Sequence, residues 1–319
     1  MEIKLDKKDR DILKLLDRDF RIPLSRIAKN VGLSKSSVAL RFEKLKPLIS
    51  HTTTGINNKM LGYTLVKVYY LINSLDKKTE KEIEIEFKKH KNLIHIARLY
   101  GHYNLELAFL VNDFDDLITQ LGKFNRRFNK KINEKEIQIM VDQYYFRNNF
   151  LYEDSATKIS KILPANKKLK LTTIEKKILS IIRNDSRMNI LDISEKTKLN
   201  PKTISTNLKS LEKRGIIMGY YMALDTGKLG LNSFKLFLQV DNSKSIEEFE
   251  RYITSIKDAR HIGKMIGLWD YEMDLVYKDT LELQYQIEIL RQKFPTLIKK
   301  IDIVNFGRRI ITSKEMFLN

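Results

Sequence analysis

The chain of 319 residues has no cysteine, only five histidines and no long apolar segment. Because cysteine is missing, disulfide bonds and thiolate metal sites are excluded. The histidines have no carboxylate at the spacing of a metal-binding motif, so we expect neither a metal nor a cofactor. No stretch approaches the roughly 18 apolar residues of a membrane span, and the charged N-terminus lacks a signal-peptide core. These absences predict a cytoplasmic protein with no membrane partner.

Enzyme motifs are also missing. The sequence contains no glycine-rich dinucleotide fingerprint, no Walker loop and no G-x-S-x-G nucleophile elbow. We therefore predict no catalytic residues and a protein that is not an enzyme.

Basic residues are in large excess. Fifty-nine Lys and Arg stand against forty Asp and Glu, which gives a net charge of +19 and a pI near 9.7. Such an excess favours a polyanionic partner such as nucleic acid. The alternative is a solvated basic surface with no specific partner.

The chain contains an internal duplication. A stretch that begins at Leu5 is related to one that begins at Leu171. The same offset in residue number relates Gly101 to Gly267, much later in each copy. An offset kept over that distance indicates a duplicated unit of two parts rather than a local coincidence.

The first copy opens with the pattern of a helix-turn-helix. Gly32 provides the positive φ of a tight turn, and Ser34 is a good N-cap for a third helix. Val38, Phe42 and Leu45 share the inward face of that helix. The residues predicted to contact DNA are those of the outward face and its basic flank: Lys35, Ser36, Ser37, Leu40, Arg41 and Lys44.

The second copy repeats this plan with changes. Asn200 and Pro201 predict a strong helix start, because Asn caps and Pro suits the first helical position. Lys198 stands where the first copy has Gly32, at an expected cost below ~1 kcal/mol. The predicted DNA contacts of this head are its outward residues: Lys202, Thr203, Thr206, Lys209 and Ser210.

A helix with short polar outward residues can approach base edges in the major groove, while flanking Lys and Arg neutralise phosphates. The pattern therefore predicts two DNA-reading heads. The alternative is a three-helix unit that serves only for packing, since a fold does not guarantee a function.

The segments LISHTTTGIN and IIMGYYMALD follow the third helices, and each predicts a two-stranded wing in its own head. Each copy then has the order β-α-β-β-α-β of a ferredoxin-like sandwich. The predicted fold class is α+β, with two winged helix-turn-helix domains that alternate with two such sandwiches. The expected domains are a first head at 1–60, a first sandwich at 61–151, a linker at 152–170, a second head at 171–228 and a second sandwich at 229–319.

Each unit resembles the Lrp/AsnC (feast/famine) transcriptional regulators. The residues that carry this resemblance are Leu5-Asp6, Asp9, Ile12-Leu13, Leu16, Asp19, Arg21, Gly32-Leu33-Ser34, Val38, Arg41, Leu45, Leu61-Gly62, Leu229-Gly230 and Gly267-Leu268-Trp269-Asp270. The resemblance implies a sandwich domain that drives oligomerisation and binds an amino-acid effector. It places the effector at the Gly-x-x-Asp turns, which are Gly101 with Asn104 and Gly267 with Asp270. Asn104 and Asn207 depart from the family's usual Asp and Arg, so the two copies are expected to differ.

These observations lead to a sequence-specific transcriptional regulator as the predicted function. Its expected partners are double-stranded DNA, a second copy of the sandwich domain within the chain or in another chain, and an amino acid. The alternative is a siroheme decarboxylase, an enzyme class that resembles this family in fold, with His95, Arg98 and His102 facing an acidic tetrapyrrole.

Overall fold

The computed structural model describes residues 4–87, 90, 92–152, 160–161, 168–183, 185–241 and 246–312. The first repeat contains α1 (Lys7–Arg18), α2 (Leu24–Val31), α3 (Lys35–Leu45), β1 (Ile49–Ile56), β2 (Thr64–Ile72), α4 (Lys77–Phe87), β3 (Leu93–Gly101), β4 (Leu105–Val111), α5 (Phe114–Phe128), β5 (Ile132–Tyr145) and β6 (Ser160–Lys161). The second contains α6 (Thr173–Ile182), α7 (Ile190–Thr197), α8 (Pro201–Lys213), β7 (Ile217–Leu224), β8 (Asn232–Val240), α9 (Glu247–Ser255), β9 (Ala259–Ile266), β10 (Tyr271–Tyr277), α10 (Thr280–Lys293) and β11 (Ile298–Thr312). The predicted α+β class, with paired helix-turn-helix and β-α-β-β-α-β units, is confirmed.

Both heads begin with a capping box. Asp6 accepts from the backbone N–H of Asp9, whose carboxylate accepts in return from the backbone N–H of Asp6. Thr172 and Glu175 form the same reciprocal pair at the start of α6. Each box satisfies two N–H groups that lack an intrahelical acceptor, so both three-helix heads start at the same relative point.

The two heads share one β-ribbon. Each contributes a single strand, and β1 pairs antiparallel with β7, with Thr53 opposite Tyr221. This differs from the prediction of a two-stranded wing in each head. The alternating pattern identified the strands correctly, but it could not reveal that each strand's partner lies in the other repeat.

The two sandwich domains form one closed sheet. Within each repeat the strand orders are β3-β4-β2-β5 and β11-β8-β10-β9. The repeats join where β3 pairs with β11 and β5 pairs with β9. Eight strands therefore close on themselves, and the sandwich domains pair within the chain.

Packing follows from this closure. The outer face of the closed sheet is covered by α4 and α5 over the strands of the first repeat and by α9 and α10 over those of the second. Each pair of helices has its own apolar core. The inner faces share a third core with both heads, including Tyr69, Phe237 and Trp269. Head and sandwich are thus continuous through buried side chains.

The strand β8 is buried on both faces along most of its length. Lys235 and Phe237, which alternate with the outward apolar residues, are 1% and 0% exposed. Their face of the strand is covered by the sheet of the other repeat, a contact that the period of the sequence alone does not indicate.

The first head is also fixed to the sheet through Asp17. Its carboxylate is buried and accepts from the Asn148 backbone N–H (3.2 Å), from the Asn148 side-chain amide (2.6 Å) and from the Tyr152 hydroxyl (3.0 Å). Burial raises the pKa of Asp17, and these donors oppose that rise. Beyond Tyr152, most of the predicted linker lies outside the described residues. Ser160–Lys161 of that linker pair with the end of β5.

Candidate nucleic-acid interface

The third helix of the first head has the predicted capping and turn. Gly32 has φ 65° at the end of α2, and the Ser34 hydroxyl accepts from the backbone N–H of Ser37 at 3.0 Å. Val38, Phe42 and Leu45 are buried against the other helices. The opposite face is open to solvent, and its exposed members are Lys35, Ser36, Ser37, Leu40, Glu43 and Lys44.

Arg41 is engaged within the head. Its guanidinium donates to the carboxylates of Asp6 and Asp9, both at 2.6 Å, and its side chain is only 30% exposed. The backbone N–H of Asp9 and the Arg41 guanidinium lower the pKa of Asp6. Arg41 therefore ties α3 to α1, a contact that the spacing of the sequence did not predict.

The second head presents a similar surface, although a different residue connects its third helix to its first helix. Asn200 accepts from the Lys202 backbone N–H at 2.8 Å, and Lys198 adopts the left-handed conformation (φ 59°) that Gly32 has in the first head. Of the predicted contacts, Lys202, Thr206 and Lys209 are exposed, while Thr203 and Ser210 are half-buried.

Asn207, at the position equivalent to Arg41, donates to the Thr203 carbonyl of its own helix at 2.8 Å. The tie between the third and first helices comes instead from Arg214, whose guanidinium pairs with the buried carboxylate of Glu175. The same kind of contact is thus present in both heads, although the arginine that makes it has changed position.

The heads also contact each other directly. Arg21 donates to the Ser186 carbonyl at 2.9 Å, and Arg187 donates to the carbonyls of Phe20 and Ile22. Together with the shared ribbon, these bonds fix the position of α3 relative to α8. Sequence reasoning missed both contacts, because nothing in the sequence besides the repeat offset relates the two arginines.

A cluster of four charged side chains lies inside the closed sheet. The ammonium groups of Lys67 and Lys235 both pair with Glu272, and each lies 3.6 Å from Glu106. Burial alone would raise the pKa values of Glu106 and Glu272, but the two lysines outweigh burial and hold both values low. Charges from the two repeats thus neutralise each other at the centre of the sheet.

His261 extends this cluster. Its ring, Glu272 and Asp274 have ligand atoms within 4.8 Å of one another, which is a spacing that a metal ion could bridge. Lys235 already donates to Asp274 at 2.7 Å and also pairs with Glu272. Side-chain ammonium groups therefore supply the positive charge that these carboxylates need.

The predicted effector turns are bonded to the ends of neighbouring strands. The side-chain oxygen of Asn104 accepts from the Ile72 backbone N–H at 2.9 Å, and its amide donates to the Ile72 carbonyl at 2.7 Å. Asp270 accepts from the Val240 backbone N–H at 2.8 Å. Both side chains therefore shape the turn that contains Gly101 or Gly267.

The residues proposed for a tetrapyrrole site do not come together. His95 points inside the sheet to Glu106 at 2.9 Å, whereas Arg98 pairs with Glu80 and His102 with Glu134. A different basic group lies beneath the ribbon, where Arg309 donates to the ring of His51. Burial and the charges of Arg309, Arg260 and His95 lower the pKa of His51 to about 3.

Comparison with known proteins agrees with the geometry of the heads. Residues 5–46 match the AsnC-type helix-turn-helix domain, and residues 171–218 match a winged helix-turn-helix DNA-binding domain. Over 118 residues the chain is 34% identical to the HTH-type transcriptional regulator LrpA of Pyrococcus horikoshii, covering 35% of this chain and 80% of the relative. It is 28% identical over 123 residues to the regulatory protein AsnC of Haemophilus influenzae, covering 37% of this chain and 79% of the relative.

These features define a helix-turn-helix DNA-binding protein with two heads. The chain belongs to the Lrp/AsnC family of transcriptional regulators, with its unit duplicated in tandem. Along its whole length it also resembles the solved siroheme decarboxylase NirDL, with a TM-score of 0.63, 16% identity and coverage of 98% of this chain and 95% of that one. At that identity the likeness concerns the fold. Among the described helices, none has the length and apolar character needed to span a membrane.

Proposed function

We propose that this protein is a transcriptional regulator that uses its two non-identical heads to read one asymmetric site on double-stranded DNA. The observation that carries the proposal is the outward face of each third helix. Most of its residues are exposed, hydroxyl and lysine side chains predominate beside Leu40 and Glu43 of the first head, and both heads are held in a fixed relation. The proposal places the protein in the cytoplasm, with its DNA.

The side chains divide into two roles. Lys35, Lys44, Lys202 and Lys209 lie at exposed positions from which an ammonium group can neutralise a phosphate. The residues suited to base edges are the shorter members of the two outward faces: Ser36, Ser37, Leu40, Thr203, Thr206 and Ser210. Arg41 acts in this proposal as a positioning residue, because its guanidinium already pairs with two carboxylates.

The two half-sites should differ in sequence. Leu40 and Thr206 are equivalent under the repeat offset but have different chemistry. Because the heads are fixed to each other, their half-sites should be centred about 10 bp, or a multiple of that, apart on one face of the duplex.

Selection of bound sequences from random duplex DNA tests the proposal. The full chain should enrich one asymmetric motif, and its affinity should fall steeply as salt is raised. Lys44→Ala and Lys209→Ala should each reduce the slope of log affinity against log salt by about 1. Lys123→Ala, at an exposed position of α5 away from the heads, is the matched control. Failure to enrich any motif, or equal affinity for symmetric and asymmetric operators, would refute it.

An amino-acid effector at the two turns is the finer part of the proposal. Asn104 and Asp270 already bond strand backbone, so an effector would have to use the exposed backbone at Gly101 and Gly267. Each of the common amino acids should be screened for a shift in melting temperature and in operator affinity. A true effector changes both, and a screen in which no amino acid changes either removes the effector from the proposal.

The second candidate function is siroheme decarboxylation. It is favoured by the full-length likeness to NirDL, a protein also solved with an iron-uroporphyrin III analogue, and by the basic group of His51, Arg260 and Arg309. Such a group could bind the carboxylates of a tetrapyrrole. Tight siroheme binding with a Soret shift that is lost in Arg309→Gln, without salt-sensitive DNA binding, would favour this function over the regulator.

A further inference from the structure

Leu40 is an apolar side chain in the middle of a polar reading face. It is 75% exposed, the largest exposed fraction among the large hydrophobic residues described. It follows Ser37 by three positions and precedes Lys44 by four, so these three side chains lie on one face of α3.

Packing within the head does not account for Leu40. The core of the head already takes Val38, Phe42 and Leu45 from the opposite side of the same helix. A single exposed leucine elsewhere on a surface needs no explanation, but this one lies where the proposed function requires contact with DNA.

In the major groove, only one apolar group distinguishes one base pair from another and can be contacted by an apolar side chain. That group is the C5-methyl group of thymine, whereas the other groove atoms that distinguish bases are hydrogen-bond donors and acceptors. We propose that Leu40 recognises a thymine methyl group in the half-site read by the first head. This inference rests on the proposed function and deepens it by naming a specificity-determining residue.

The second head provides an internal comparison. Thr206 occupies the position equivalent to Leu40 and is also exposed, but its smaller side chain has a hydroxyl group beside its methyl. The first half-site should therefore depend on a thymine methyl that Leu40 contacts, and this dependence should not involve Thr206.

The test replaces each thymine of the selected operator in turn by deoxyuridine, which lacks only the methyl group. Binding of the full chain is then measured by fluorescence anisotropy at fixed salt. We expect one thymine of the first half-site whose replacement weakens binding about fourfold, the change that corresponds to burying one methyl group. In Leu40→Ala the same replacement should have no effect, whereas in Thr206→Ala it should keep its full effect.

Leu40→Ala removes an exposed side chain, so its melting temperature should match that of the parent protein. A duplex that binds the parent protein equally well with thymine or uracil at every position would overturn this inference alone. So would a uracil-sensitive thymine that stays sensitive in Leu40→Ala. The absence of any salt-sensitive DNA binding would instead overturn the proposed function itself.

Discussion

Arg21 and Arg187 occupy equivalent positions in the two repeats, and each donates hydrogen bonds to backbone carbonyls of the opposite head. The exchange is unequal. The Arg21 guanidinium lies over the Tyr220 ring of the other head, 5.0 Å from its centroid. Arg187 bonds two carbonyls and lies over two rings of the other head, 5.5 Å from that of Phe20 and 5.1 Å from that of Phe42. Arg187 therefore contributes more than Arg21 to the contact that holds the two heads together.

Replacing Arg187 should therefore cost more stability than replacing Arg21. Arg187→Ala should lower the free energy of unfolding by about 2–3 kcal/mol, and Arg21→Ala by about half of that, since fewer hydrogen bonds and cation–π contacts are lost. Urea denaturation measures both. Arg187→Ala should also weaken the preference for one half-site spacing. Equal losses for the two variants would contradict the unequal exchange.

The charge cluster inside the sheet gives a second prediction. Lys235→Met leaves the buried carboxylate of Glu272 with fewer counter-charges and should destabilise the protein by about 3–5 kcal/mol. The double variant Lys235→Met/Glu272→Met keeps Lys67 beside Glu106 and should recover most of that loss. Chemical denaturation of Lys235→Met, of Glu272→Met and of the double variant gives the coupling energy between the two residues. A double variant less stable than Lys235→Met would show that the pair is not mutually compensating.

The buried imidazole of His261 predicts a pH dependence of stability. Burial and the nearby Lys67 ammonium lower the pKa of His261 from 6.5 to about 4, against the opposing charges of Asp274 and Glu272. Above pH 6.5 the ring is neutral in both states. Between pH 6.5 and about 4 only the unfolded chain binds a proton, so stability falls as the pH is lowered through this window.

His261→Gln removes the contribution of this ring to the pH dependence of stability. Between pH 7.5 and pH 5.0 the variant should lose about 2 kcal/mol less stability than the parent protein. Urea titrations at both pH values provide the measurement, and identical losses for His261→Gln and the parent would contradict the prediction.

The sequence was sufficient for the heads and the order of elements, but not for contacts between repeats. Gly32, Ser34 and Asn200 act locally, and each has the predicted conformation or hydrogen bond. Lys67 and Lys235 follow strand periodicity as solvent-facing residues would, yet the other repeat buries them. The exact domain boundaries and the DNA-contacting residues stay predictions, because the boundaries are not marked by a local signal and DNA contacts depend on a partner.

Lys198 offers a stabilising substitution. It has φ 59°, which strains a residue with a Cβ atom, whereas its counterpart Gly32 has φ 65° without that strain. Lys198→Gly should stabilise the protein by about 0.5–1 kcal/mol, because relief of strain outweighs the greater chain entropy of glycine when unfolded. Gly32→Ala should destabilise it by a similar amount. Thermal unfolding checks both, and a loss of stability in Lys198→Gly would contradict the argument.

The closed sheet predicts that a single chain is the stable unit in solution. Both seams between the repeats, β3 with β11 and β5 with β9, are paired within the chain, so neither edge is left to pair with a second copy. Light scattering at micromolar concentration should give the mass of one chain, 37.6 kDa. Gly267→Ala should add larger species, because a Cβ atom there would overlap the Gln138 Oε1 atom and force the β5–β9 seam apart. A strictly dimeric mass for the parent protein would mean that the seams exchange between chains.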